Sequence, residues 1–385
     1  MLVIGVVIVF WAGSARENAS PDHYDLGVIH QGARVELSAR LLVREHPADR
    51  WYDAFLDKVP RPLRSTLWKC HPRNLRKKEP AIDVKTLQPA VTCSRFIRVE
   101  NVTPEQRPQW YDGRPFIVVN LTLNTAQPGD YKETVEARLD ARLSSLPIRF
   151  TVRDTNAPEP RILITETPFE SDATEDGRLF RSVTELVSSL PCSTDFLGEL
   201  PHAFLQDELL PYKAILLNGS PLSSRQFAFP NSAPQAAPER RLQQYLESGG
   251  TLILACNYFM RGTVANANRI LEEHGLQVTD ADYGKGVTVT NIVADPITRN
   301  VRRLEFYRPS LITVTDPGKA RILAFDPQNQ GGFVAAARTP YGGQVIVLGT
   351  SLWWNWIHEY RHRSDNFTLM SNVLAHAVAR AASEK

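Results

Sequence analysis

The sequence predicts two domains of different class: an N-terminal all-β sandwich and a C-terminal α/β domain built on a doubly wound parallel sheet. Three observations carry this. From His23 to about Val152, apolar and polar residues alternate with period two in short runs such as "RPFIVVNLTLNT" and "LPIRFTVRD", the pattern of half-buried strands. "RDTNAPEP", residues 153–160, is polar and carries two prolines, the composition of a linker. Beyond it, near-continuous apolar runs such as "RILIT" alternate with segments of helical pattern, as a sheet covered on both faces requires.

The bulk properties fit that plan. A chain of 385 residues is long enough for two proper cores. Hydrophobic content of 43% and charged content of 22% are those of a globular protein in water. A formal net charge of +2 gives no global attraction to nucleic acid or to anionic membrane.

Residues 1–20 stand apart. Leu2 to Ala12, "LVIGVVIVFWA", is an apolar run too short to cross a bilayer as a helix, which takes about 20 residues. It fits the hydrophobic region of an export signal or a membrane-proximal anchor, with Gly13-Ser14-Ala15 as a cleavage site of small residues. The expectation is a protein exported to the periplasm or held on a membrane facing away from the cytoplasm. A buried first strand is the alternative.

Residues 21–152 form the expected sandwich. "YDLGVIHQGARVELSARLLV" reads as a hairpin around Gln31-Gly32, and Gln127-Pro128-Gly129-Asp130 and Ser144-Ser145 mark further turns. A basic insertion at 61–78, "RPLRSTLWKCHPRNLRKK", holds seven Lys or Arg and no acid. It suits an acidic partner or phosphate, or else a solvated loop, which is the reading adopted. With one tryptophan and no aromatic stacking pattern it excludes single-stranded nucleic acid as a partner. Cys70 and Cys93 are either a disulfide pair in an oxidising compartment or two free thiols. The opening "DLGVI" and the "GDY" hairpin resemble the immunoglobulin-like sandwich modules of exported bacterial proteins.

Residues 161–385 follow the second grammar. Strands are read at "RILIT", "YKAILLNG", "TLILACN", "GVTVTNIV", "RILAFD", "GFVAAART" and "GQVIVLGT". Helices are read at "GRLFRSVTELVSSL", "PERRLQQYLESGG", "ANANRILEEHG" and "DNFTLMSNVLAHAVARAA", with glycines past two C-termini. The series "YKAILLNG", "LQQYLESGGTLILACNYF", "VANANRILEEHGL", "ADPITRNVRRLEFY", "GGQVIVLGTSLWW", "DNFTLMSNVLAH" resembles the class I glutamine amidotransferase-like superfamily over roughly residues 160–382. It is most similar to the non-enzymatic gliding-motility and intraflagellar-transport branches. The resemblance implies a flavodoxin-like sheet.

In catalytic members of that superfamily a cysteine follows a parallel strand on a sharp turn, and Cys256 occupies the matching position. Such a turn exposes sulfur and gathers backbone N–H groups for an oxyanion. It calls for small residues two positions either side, where this chain has Leu254 and Tyr258. The resemblance also implies a histidine with an acid two residues later. This chain offers His358 next to Glu359, at the wrong spacing. Cys256 is therefore read as a small residue packed at a strand end.

Two loops complete the candidate surface. "TETPFESDATEDG", after the first α/β strand, carries Glu166, Glu170, Asp172, Glu175 and Asp176 where ligands of open α/β sheets bind. It fits no calcium loop, and no metal or cofactor is expected. "TSLWWNWIHEYRHR" concentrates Trp353, Trp354, Trp356 and Tyr360 after the last strand, and Asn257 and Tyr258 follow Cys256. These aromatics suit a protein- or glycan-binding face, or contact between the two domains. The function expected is an exported, non-catalytic binding or assembly protein. The alternatives are an amidase or hydrolase using Cys256, His358 and Glu359, and a carbohydrate-binding protein. Asn-X-Ser/Thr matches stand at Asn101, Asn120 and Asn366.

Overall fold

The structure is a computed structural model. It describes residues 24–42, 55, 67, 90–106, 115–139, 142–154, 160–165, 185–197, 209–218, 238–256, 263–279, 283, 286–350 and 363–383. The fold is mostly β.

The first half supplies seven strands: β1 (Tyr24–His30), β2 (Val35–Leu42), β3 (Ala90–Thr92), β4 (Ile97–Gln106), β5 (Pro115–Leu123), β6 (Gly129–Leu139) and β7 (Arg142–Arg153). β1, β7, β6 and β3 form a four-stranded sheet, and β2, β5 and β4 lie side by side in a second sheet. Leu26, Ile29, Val35, Leu121, Val135, Ile148 and Phe150 share one buried cluster. Tyr131 packs edge-on against Phe96 and stacks on Phe150, with ring centroids 4.8 Å apart in both pairs.

The expected β1–β2 hairpin does not form. β1 runs parallel to β7, while β2 pairs with β5 in the other sheet. The connection is pinned outward: Gln31 N–H donates to Arg153 O, Gly32 N–H to Thr125 O, and the Thr125 hydroxyl to Ala33 O at 2.6 Å. Period-two alternation says which face of a strand is buried but not which neighbour it pairs with, so two strands facing each other across a core read like a hairpin.

The second half supplies β8 (Arg161–Thr165), β9 (Ser193–Leu197), β10 (Tyr212–Asn218), α1 (Pro238–Glu247), β11 (Thr251–Ala255), α2 (Thr263–Leu271), β12 (Leu276–Val278), β13 (Val287–Val289), β14 (Leu304–Phe306), β15 (Ile312–Val314), β16 (Ala320–Phe325), β17 (Gly332–Arg338), β18 (Gln344–Leu348) and α3 (Asn366–Ser383). β9, β8, β10, β11 and β18 lie in that order and are all parallel. The expectation of parallel strands throughout is corrected beyond β18. β17 is antiparallel to β18, β16 is antiparallel to β17, and β13 pairs only with β14 among the described residues. A strand buried on both faces has the same apolar signature in either direction, so direction depends on the connections.

Alternation along the parallel strands divides their side chains between two layers. Ile162, Ile164, Leu216, Ile253, Ile346 and Leu348 pack with Leu369, Met370, Val373 and Leu374 of α3. Leu163, Ile215, Leu217, Leu254 and Val347 pack with Leu242, Tyr245 and Leu246 of α1 and with Val264, Ala267 and Leu271 of α2. The i, i+3, i+4 spacing of the α1 residues is the apolar stripe that makes the segment a helix. α1 stops at a double-glycine cap. Gly249, at φ 90°, donates to Leu246 O, and Gly250 donates to Tyr245 O. A Cβ on Gly250 would sit 2.3 Å from the Tyr245 ring, so only glycine fits there.

One sheet runs through both halves. β9 joins β2 through a single parallel rung, Val35 to Phe196, with Phe196 N–H donating to Arg34 O at 2.8 Å. Asp195 locks this seam. Its buried carboxylate accepts from Arg34 N–H at 3.0 Å, from the Tyr212 hydroxyl at 2.7 Å and from the Arg161 guanidinium. Burial and the facing carboxylate push the Tyr212 hydroxyl well above its usual range.

Candidate functional site

The carboxyl edge of the parallel sheet is the place to look for chemistry, because that is where strands deliver side chains into loops. β11 is buried along its whole length and pairs with β10 on one side and β18 on the other. Cys256 follows directly, and its N–H donates to Leu348 O at 3.1 Å. The residue therefore extends the ladder by one rung.

That placement decides the state of the sulfur. Cys256 has 0% of its surface exposed and belongs to the apolar layer under α1 and α2, with Leu254, Val264 and Ala267. Burial alone pushes its thiol up to about 12. At neutral pH the group is therefore held as the thiol. A nucleophile elbow also stores backbone strain. Among the described residues the non-glycine positions at positive φ are Asn300, Arg308 and Asn329, not Cys256.

The other described cysteines differ. Cys192 is buried, and loss of solvent raises its thiol to about 11. Cys93 is exposed and free, with its sulfhydryl donating to Ile97 O at 2.8 Å. Cys93 pairs with no described cysteine, and Cys70 lies outside the described residues.

Polar groups at the ends of the neighbouring strands are bonded to backbone. The Thr165 hydroxyl, at the end of β8, is buried and donates to Leu216 O at 2.9 Å. Ser310 N–H donates to Gly349 O at 2.8 Å, and a Cβ on Gly349 would lie 2.3 Å from Ser310 O. The Pro309–Ser310 segment thus crosses against the end of β18. Arg308 enters it at φ 50° directly before a proline, a conformation that costs roughly 1–3 kcal/mol. This segment was missed in the sequence, where only Pro309 signals a break.

Of the residues nominated for the catalytic or partner-binding site, the structure describes only Cys256. Glu166, Asn257, Tyr258, Trp353, Trp354, Trp356, His358, Glu359 and Tyr360 lie outside the described residues, as do the acids at 170–176 and nearly all of the basic insertion. In sequence they follow the carboxyl ends of β8, β11 and β18. Asn366 is described and buried. Its carboxamide accepts from Glu305 N–H at 3.1 Å and donates to Glu305 O at 2.9 Å, leaving no room for a glycan in the folded chain. Among the described residues no three His, Cys, Asp or Glu converge as metal ligands, and no helix is long and apolar enough to cross a membrane. No family model matches the chain, and no curated protein matches it.

Proposed function

We propose that this chain is an exported binding or assembly protein whose C-terminal half keeps a glutamine amidotransferase-like framework without cysteine chemistry. The observation that carries this reading is the sealed Cys256: no surface exposed, a ladder-bonded backbone and a thiol raised to about 12. A cysteine nucleophile needs an accessible sulfur and an activating neighbour, and burial in an aliphatic layer opposes both.

The framework has support of its own. The five parallel strands stand in the order second, first, third, fourth, fifth, which is the flavodoxin-like arrangement. Helices pack on both faces. In the first half, the Tyr131 hydroxyl donates to Gln127 O at 2.7 Å, four residues upstream, as in the tyrosine corner of immunoglobulin-like sandwiches.

The partner-facing surface in this reading is the aromatic segment after β18, with Trp353, Trp354, Trp356 and Tyr360, beside Asn257, Tyr258 and Glu166. Its partner is a protein or a glycan. Iodoacetamide labelling of the folded chain near neutral pH tests the loss of chemistry and carries its own control: Cys93 reacts, while Cys192 and Cys256 react only after unfolding. Fast stoichiometric labelling of Cys256 in the folded chain overturns the reading. Alanine at Trp353, Trp354 and Trp356 together tests the surface: a glycan array and in situ crosslinking, run with parent and variant, then differ.

A further inference from the structure

At the opposite edge of the parallel sheet the molecule is open. The β17–β18 turn, Thr339 to Gly343, and helix α3 enclose a cavity of about 440 Å³ lined by Arg338, Thr339, Pro340, Gly342, Gly343 and His376. Its framework is rigid. Arg338 pairs with Gln344 across the hairpin, and Gln344 N–H donates to Gly250 O at 3.1 Å. The buried Gln344 side chain meets His376 Nε2 at 3.1 Å, which fixes the imidazole over the cavity wall. Gly343 lies so close to α1 that a Cβ there would be 2.2 Å from Leu246 O.

The charges at this cavity are unequal. The Arg338 guanidinium is exposed and has no ion pair or side-chain hydrogen bond among the described residues. The carboxylate whose field reaches His376, Asp295, is already held by Arg321 at 2.7 and 3.2 Å. The Leu246 carbonyl at the base accepts from Gly249 N–H and faces the Thr339 hydroxyl at 3.5 Å. The Arg338 fork is the donor left to a ligand there, beside an imidazole held by Gln344 and a hydroxyl bonded to Leu246 O. Arginine's planar fork matches the oxygens of a phosphate. The volume exceeds what a bare ion needs and falls in the range of small-molecule sites, roughly 300–1,000 Å³. Pro340, on the same turn and exposed at the cavity wall, offers an apolar face to the organic part of such a ligand.

The geometry points to a binding site for a soluble small-molecule phosphate monoester at the amino edge of the sheet, with Arg338 as the phosphate-gripping residue and Pro340 as the apolar wall. This site is distinct from the aromatic segment that follows β18 in sequence and stands or falls separately from it.

Calorimetric titration of the full chain at low salt with inorganic phosphate and with phenyl phosphate tests it. Both bind saturably at millimolar concentration, and phenyl phosphate binds more tightly. Arg338→Met weakens both by about tenfold or more, the value of one charge-assisted hydrogen-bonded contact. Arg338→Lys, which keeps the charge and loses the fork, falls between. Absence of saturable binding overturns the inference, as does an Arg338→Met protein that melts and binds like the parent. Binding to vesicles containing phosphatidic acid without binding to phenyl phosphate also overturns it, because the phosphate would then be that of a lipid.

Discussion

The two edges of the parallel sheet are built from the same strands and finished in opposite ways. At the carboxyl end of β11 a nucleophile-type residue is sealed under two helices, with no surface left and its thiol raised to about 12. At the amino end of β18 an arginine stands open beside a cavity, backed by a histidine that a buried glutamine holds. The difference teaches that a reactive residue type at the end of a parallel strand says little about chemistry. Solvent access and a free partner decide it.

Putting one charge at each edge gives the largest contrast. Cys256→Asp buries a carboxylate among aliphatic side chains and costs more than about 4 kcal/mol, so little folded protein is expected. Arg338→Asp changes stability by no more than about 0.5 kcal/mol, as an exposed substitution does. Urea midpoints of the two variants measure this directly, and similar midpoints would falsify the sealed-edge description.

Asp195→Ala comes next. It leaves the Arg34 amide and the Tyr212 hydroxyl without their acceptor at the β9–β2 seam, and lowers stability by roughly 2–3 kcal/mol. Arg161→Ala costs less, since that side chain is 44% exposed. Equal losses from the two would mean that the guanidinium, not the two neutral donors, holds the carboxylate.

The smallest effect is a pH slope. His274 is buried with Nε2 lacking a hydrogen-bond partner among the described residues, and desolvation lowers its pKa below 6.5. Burial lowers His30 as well, with Arg153 adding to the shift. In each case the unfolded chain takes up a proton before the folded chain does. The stability these groups contribute is complete above 6.5 and declines as pH falls from there through the folded values. Denaturant midpoints taken about one pH unit either side of 6.5 should fall on the acid side, and His274→Phe should flatten the slope. An unchanged slope in that variant would assign the effect elsewhere.

Much of this architecture is legible in the residues, for identifiable reasons. "RILIT", "YKAILLN", "TLILA" and "QVIVL" are apolar on both faces, and only a covered central strand tolerates that. Ser248-Gly249-Gly250 announces the cap that ends α1. The three-residue strands β12 to β15 are too short to show a period, and the antiparallel direction of β17 leaves no trace in "GFVAAAR". At the candidate site, Leu254 and Tyr258 already argue against a tight turn at Cys256. The open cavity was not foreseen. "RTPYGG" reads as an ordinary turn, and nothing in the sequence brings His376, on the terminal helix, to a position beside it. Convergence of that kind is a property of the fold.

The single rung between Val35 and Phe196 has a mechanical consequence. A pull that draws β9 off β2 is borne in the sheet by that one rung, whereas the flanking β2–β5 and β8–β9 ladders share it over eight and five residue pairs. The sheet would yield at that rung before the longer ladders on either side of it.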